Sequence, residues 1–341
     1  MTQKRLMAAL FLLAAAPPLA AQEETHQAKP AVPSYRSQAG DMSKYYLYAD
    51  GGFHADWYVG FNNCWMIELP PIDTTGYARS FIGARLGRAK IMSHPLGWDP
   101  TPIPGKIYMG ISRVPSFSGE QTFFLVEAAD LPREPLPNDS ISGVDSAQWF
   151  WASVPTAHIS SDGPNYLAIW SNSRYFTSAS SSPIIAAALS EASGEESAWL
   201  NRSIKGAPPT GENTLETPLA GIKPALAVKL VPPNDYKVLI RGFMAEMDPG
   251  KIAVSFSVIG EDVRSAWVEL SYDKFEWQRI TRYLFRPPYQ FTLDRADMSS
   301  DMFYLRAAAV DSLENTGYSK EILIPALAGG PSTDGASVQY D

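Results

Sequence analysis

Histidine, serine and carboxylate residues could carry out group-transfer chemistry in this chain, but histidine is scarce, with four in 341 residues. His26 falls in a polar N-terminal stretch, which leaves His54, His94 and His158 in three separate segments. His158 with a serine of SASSSP (178–183) and Asp162 has the composition of a nucleophilic triad, in which the imidazole takes the serine proton and the carboxylate orients the imidazole. Serine and aspartate are so common in loops that this combination is unspecific. His54 and Asp56 in GGFHADWY would project to one side of a strand, but a metal needs a third ligand that the segment does not supply, so a turn-stabilising pair is the simpler reading. Glycoside hydrolysis needs two carboxylates at a fixed separation. Glu68, Glu120, Glu127 and Asp130 lie on or beside candidate strands, where isolated carboxylates are ordinarily solvated. NDSISGVD offers oxygens of Asp139, Ser140 and Asp145 for a structural calcium, without the spacing of an EF-hand. No other cofactor or metal is expected. The chain has no G-x-S-x-G elbow, no H-E-x-x-H, no P-loop and no cysteine cluster. Its single cysteine, Cys64 in FNNCWMIEL, has no neighbouring cation to stabilise a thiolate and reads as a small buried apolar residue.

Aromatic residues offer binding chemistry instead. In QWFWASVP, Gln148 to Pro155, a straight strand puts Phe150, Ala152 and Val154 on one face. Trp149, Trp151 and Ser153 take the other, with the indoles about 6.5 to 7 Å apart. YLAIWS repeats the pattern, Leu167 and Ile169 opposing Tyr166 and Trp170. Pairing of these two strands would gather Trp149, Trp151, Tyr166 and Trp170 into one outward patch. Each such ring buries about 150 to 250 Å² when covered, worth several kcal/mol at about 25 cal/mol per Å², so something should cover them. The cover is either the protein itself or a ligand such as a sugar ring stacked on the indoles. Trp57, Trp65 and Trp98 are reserves for the same role, and Trp98 in HPLGWDPTPIPG is the loop-borne one. The candidate ligand-binding residues are therefore Trp149, Trp151, Tyr166, Trp170 and Trp98.

The elements that must position these residues are short strands. YYLYA, WYVGF, WMIEL, KIYMGIS, TFFLVEA, QWFWASV and YLAIWS are separated by Pro-, Gly- and Asp-rich turns, the pattern of an all-β sandwich. SSPIIAAALSEAS (181–193) places Ser182 and Pro183 where a helix N-cap and first residue would stand, which predicts a short helix. Residues 201–225 are rich in Pro, Gly and Thr and read as an interdomain linker. The expected organisation is a signal peptide at 1–21, a disordered lead-in at 22–40, a jelly-roll-like sandwich at 41–200, the linker, a second sandwich at 226–327 and a flexible tail at 328–341. The analogy of the first sandwich is to the jelly rolls of carbohydrate-binding modules.

In KIAVSFSVIG, Ile252, Val254, Phe256 and Val258 alternate with small residues, giving one buried and one wet face. About seven such strands fill the last 100 or so residues. PPYQFTLD (287–294) and FYLRAAAVDSLENTG (303–317), with Asp311 and Asn315 in the place of a D-x-x-G-N turn, resemble immunoglobulin-like and fibronectin type III-like repeats of exported bacterial proteins. The resemblance implies architecture rather than activity.

Lys4 and Arg5 precede an apolar run from Leu6 to Ala16, a Pro pair and Ala20-Ala21, which reads as a secretory signal. The run is too short for a membrane span of about 20 residues. Export to the periplasm, cell surface or medium is expected, with no membrane insertion. Removing the signal leaves 26 basic against 36 acidic residues, a net charge of −10, which argues against nucleic acid and anionic surfaces and favours neutral glycans or basic partners. Together these features predict a non-catalytic protein that binds a glycan or other surface polymer through an aromatic face of the first sandwich. The alternatives are a structural or adhesion component that meets an envelope protein, and a secreted hydrolase. The sequence is silent on oligomeric state.

Overall fold

The computed structural model describes residues 32–46, 57–87, 91–92, 101–132, 147–189, 197–248, 250–260, 262–295, 298 and 302–326. The expected signal peptide, the proposed calcium loop, His54, His94 and Trp98 lie outside these residues. The fold is all-β, as the alternation predicts, with short 3₁₀ turns as the only helical elements among the described residues.

Among the described residues fifteen strands build the first sandwich. In chain order they are β1 (Ser34–Ser37), β2 (Cys64–Leu69), β3 (Arg79–Gly87), β4 (Ile91–Met92), β5 (Thr101–Pro102), β6 (Lys106–Ser112), β7 (Thr122–Glu127) and β8 (Gln148–Val154). They continue with β9 (Asn165–Ser171), β10 (Ile184–Ile185), β11 (Ala187–Leu189), β12 (Ala198–Asn201), β13 (Thr217–Pro218), β14 (Ile222–Pro224) and β15 (Leu226–Val231). Sheet 1 has five strands in the order β1-β15-β3-β10, with β8 on the other side of β3. Sheet 2 has six, ordered β13-β12-β2-β9-β6-β7. Two short ladders, β4-β5 and β11-β14, complete this half. Between the two large sheets lies a continuous apolar core. Sheet 1 contributes Ile82, Phe150 and Val228 among others; sheet 2 contributes Trp65, Met109 and Ile169. Each fully buried aliphatic side chain is worth about 1.5–3 kcal/mol, and this core holds the sheets face to face.

Three expectations change here. Residues 201–225 are not a free linker: β13 pairs with β12, and β14 with β11. Proline and glycine dominate the composition, yet Asn201 Nδ2 donates to Thr214 O and Leu219 N donates to Ala198 O, so the segment is tied into the sandwich. The boundary between the sandwiches consequently falls after Val231 at the end of β15. Within the 181–193 segment, residues 184–189 form β10 and β11 rather than a helix, because Ile184 and Ile185 continue sheet 1 beside Leu86 and Gly87. Within the expected lead-in, β1 pairs with β15 from Ser34↔Leu230 to Ser37↔Ala227.

The second sandwich contains β16 (Leu239–Asp248), β17 (Lys251–Ile259), β18 (Val263–Ser271), β19 (Gln278–Arg279), β20 (Tyr289–Asp294), β21 (Phe303–Asp311), β22 (Thr316–Tyr318) and β23 (Ile322–Ile324). Sheet 3 is β16-β17-β20; in sheet 4, β18 and β21 are flanked by β19, β22 and β23. Ile252 and Val254 of sheet 3 face Ala266, Val268, Leu305 and Ala307 of sheet 4 in a separate core. The Asp311–Asn315 turn is closed by Asp311 Oδ1, which accepts from Leu313 N and Asn315 N at 2.9 and 2.8 Å.

That turn docks on sheet 1. Arg79 donates to Leu313 O, Glu314 O and Asn315 Oδ1, and Lys229 Nζ lies 2.9 Å from Glu314 Oε1. Elsewhere the Arg279 guanidinium grips both oxygens of Asp130 at 2.7 and 2.5 Å, and Phe285 meets Phe150 edge-on at 6.0 Å.

Candidate binding face

The structure separates the expected aromatic patch. β8 pairs with β3 in sheet 1, whereas β9 lies between β2 and β6 in sheet 2. Both strands turn their aliphatic residues into the shared core, so Trp149 and Trp151 face out on one side of the sandwich and Tyr166 and Trp170 on the opposite side. Strand neighbours are set by long-range pairing that the local pattern of QWFWASVP and YLAIWS does not encode.

On sheet 1 the indoles of Trp149 and Trp151 stack at 5.2 Å and 13°. The chain itself covers them in part, leaving both half-buried. Tyr45 meets Trp149 edge-on at 5.7 Å, and Tyr35 of β1 lies 5.7 Å from Trp151. Lys229 Nζ sits 5.2 Å from the Trp151 ring and 5.8 and 5.9 Å from Phe81 and Tyr35, inside the range of cation–π attraction. Trp151 lies flat across β3 because residue 83 is glycine: a Cβ there would stand 2.3 Å from Trp151 Cε3. The face expected to receive a ligand is thus partly roofed by the chain itself. Trp57 and Trp65 are likewise core residues, their Nε1 groups donating to Ile185 O and Tyr58 O.

On sheet 2, Trp170 is 1% exposed. It packs with Phe117, Ile204, Met66 and Cys64, so much of its roof comes from the segment expected as a linker. Burial pushes the Cys64 thiol up, out of the reactive range. Tyr166 is half-buried at the far end of the sheet, opposite Glu68. Burial and the Glu68 carboxylate together raise its phenol pKa.

One row on this face stays partly open. Register places Phe124 of β7, Tyr108 of β6 and Trp170 of β9 side by side. Tyr108 stacks on Trp170 at 6.2 Å and meets Phe124 edge-on at 6.1 Å. Exposure rises along the row, from buried Trp170 through half-buried Tyr108 to Phe124 at 50%. Polar groups converge on the same end. Asn172 Nδ2 reaches Tyr108 Oη at 3.5 Å, Lys106 Nζ is 5.9 Å from the Phe124 ring, and Lys106 pairs with Glu127 at 3.7 Å. Ser171 Oγ donates to Lys106 O at 2.7 Å and Ser173 Oγ to Pro104 O at 2.9 Å, fixing the end of β9 against the start of β6. Tyr108, Phe124 and Asn172 were absent from the candidate residues. KIYMGIS and TFFLVEA are individually ordinary strands, and the row exists only across the ladder.

Among the described residues no contact joins His158 to the SASSSP serines or to Asp162. The His158 ring packs edge-on against Phe123 at 5.6 Å, while the SASSSP serines bond one another, Ser178 Oγ lying 2.8 Å from Ser180 Oγ. Asp130 is taken by Arg279, and Glu127 by Lys106. Among the described residues no group of three or more His, Cys, Asp or Glu could hold a metal.

No family model matches the chain, and no curated protein matches it. Among solved structures, a β-1,2-glucanase from Parabacteroides distasonis is 12% identical with a TM-score of 0.24, covering 77% of this chain and 30% of its own. The glycoside hydrolase domain of Endo-D from Streptococcus pneumoniae R6 is 9% identical with a TM-score of 0.22, covering 75% and 30%. A β-D-glucuronidase from Dictyoglomus thermophilum is 9% identical with a TM-score of 0.21, covering 87% and 44%. This chain thus spans less than half the length of each, and scores this low do not establish a shared fold.

Proposed function

We propose that this is an exported, non-catalytic binding protein. It holds a glycan or other surface polymer on the outer face of sheet 2, with the second sandwich as an immunoglobulin-like spacer. One observation carries the reading: the Phe124–Tyr108–Trp170 row runs from a fully wrapped indole to a phenylalanine left half in water. A flat ring beside a tyrosine hydroxyl, an amide and an ammonium is suited to a sugar, whose apolar ring face stacks while its hydroxyls take hydrogen bonds. The test is electrophoresis through native gels cast with dextran, xylan or polygalacturonate. Retardation by at least one polymer, lost in Phe124→Ala without a change in melting temperature, is expected. Free migration in all three gels, or retardation unchanged in Phe124→Ala, would contradict it.

A second reading, docking within an envelope assembly, rests on Phe275. This ring is 89% exposed on a turn fixed by Asp273 Oδ1, which accepts from Phe275 N and Glu276 N at 2.8 and 2.9 Å. Crosslinking in native envelope tests it: a partner captured through position 275 supports docking, and a clean monomer opposes it.

A further inference from the structure

The net charge of the whole chain is −8, a sign that favours neutral or basic partners, yet cations line the end of sheet 2 along which the aromatic row runs, with Lys106 at the open Phe124 end and Arg174, Arg202 and Lys205 after β9 and β12 on the Trp170 side. Antiparallel pairing explains how they meet. β6 begins and β9 ends at the same edge of sheet 2, as do β2 and β12, through the registers Ile107↔Ser171, Trp65↔Ile169 and Cys64↔Asn201. The residues just beyond those strand ends are therefore neighbours. Lys106 opens β6, Asn172 and Arg174 follow β9, and Arg202 and Lys205 follow β12. Contacts confirm the clustering. Gly206 N donates to Phe61 O at 2.7 Å, and a Cβ on Gly206 would lie 3.3 Å from Asn172 Cα.

The carboxylates nearby do not neutralise all of these cations. Glu127 pairs with Lys106, whereas Glu216 Oε2 accepts from the backbone N–H of Arg202 at 2.8 Å. Glu212 and Glu216 line a cleft of about 300 Å³ with Lys205. Glu212 lies on the side of that segment tied to the 115–117 turn, where Gly211 N donates to Ser116 Oγ at 3.0 Å. Arg174 and Lys205 are exposed, and no ion pair engages either among the described residues.

Resting on the sheet 2 reading above, we infer that the polymer bound there is an anionic glycan, its sugar ring on Phe124 and Tyr108 and its carboxylate or sulfate groups at Arg174 and Lys205. An arginine fork matches a carboxylate or sulfate edge in a way that a neutral hydroxyl does not exploit. Cations at the rim also raise the encounter rate, an effect that salt screens.

Matched polymers separate charge from sugar: polygalacturonate against its fully methyl-esterified form, and dextran sulfate against dextran. Wild-type protein should be retarded by the acidic member of a pair, less so as NaCl is added, and scarcely by the neutral member. Arg174→Gln/Lys205→Gln should bind about 2- to 30-fold more weakly, the range for two exposed charge contacts. Arg113→Gln, at the opposite end of the sheet, should bind as wild type does. Equal retardation by both members of a pair, or an unaffected double variant, overturns the anionic ligand but leaves the sheet 2 reading intact. Acidic-polymer binding that survives Phe124→Ala, or no binding to any of the four polymers, overturns both.

Discussion

Lys229 Nζ lies 2.9 Å from Glu314 Oε1, and this pair links the last strand of the first sandwich to a turn of the second. The two side chains are 1% and 9% exposed. Arg264 Nη2 takes the other carboxylate oxygen at 2.6 Å. Burial pushes the lysine pKa below its ordinary value, and Glu314 opposes that shift. Removing one partner of such a pair strands a charge and costs about 3–5 kcal/mol. Glu314→Gln is expected to lower urea stability toward that range, and Lys229→Met combined with Glu314→Gln to cost less than the two single changes summed. Strict additivity would show that the pair is not coupled.

Gly83 holds the Trp149–Trp151 stack against β3. Alanine there would place a Cβ 2.5 Å from Phe150 O as well as against the Trp151 ring. Overpacking of this kind costs about 1–3 kcal/mol. Gly83→Ala should lower the unfolding midpoint and shift tryptophan emission. An unchanged midpoint would mean that the indole moves aside freely.

The two-residue period was legible in β8, β9 and β17, because burial of one sheet face imposes a period of two on any sequence. Trp149 and Trp151 do point away from the aliphatic core. Their partners were not legible: Tyr35 lies in a stretch whose composition reads as disordered, and Lys229 is 78 positions further along from Trp151. Pro- and Gly-rich 201–225 looked like a linker because composition reports local stiffness, whereas its place over Trp170 depends on Ile204 and Leu215 finding an apolar face elsewhere. Ser182-Pro183 suggested a helix, and pairing with Leu86 and Gly87 overrode it.

The Cys64 thiol, wholly buried beneath that segment, should resist Ellman-type reagents in the native protein and react only as fast as the protein opens. Rapid stoichiometric labelling at neutral pH would contradict the packing of Trp170, Ile204 and Met66 around it.

Alkaline pH offers a further check. Burial raises the phenol pKa of Tyr35, Tyr45, Tyr283 and Tyr289. In the unfolded chain these groups ionise near about pH 10, while the folded protein retains their protons. Their contribution is therefore complete below that pH and is lost as pH rises through the higher folded values. Lys229, with a lowered pKa, acts in the opposite sense below about 10.4 but is a single group. The melting temperature should fall above pH 10, and a rise there would contradict the burial of these rings.

On the proposed reading, the ligand sits at the open end of the sheet 2 row rather than on the sheet 1 indoles. The most direct measurement runs Phe124→Ala and Trp149→Phe side by side through gels containing the polysaccharide that retards wild-type protein most. Phe124→Ala should migrate freely and melt as wild type does, whereas Trp149→Phe should be retarded normally and melt earlier. Normal retardation of Phe124→Ala with free migration of Trp149→Phe would return the site to the sheet 1 indoles.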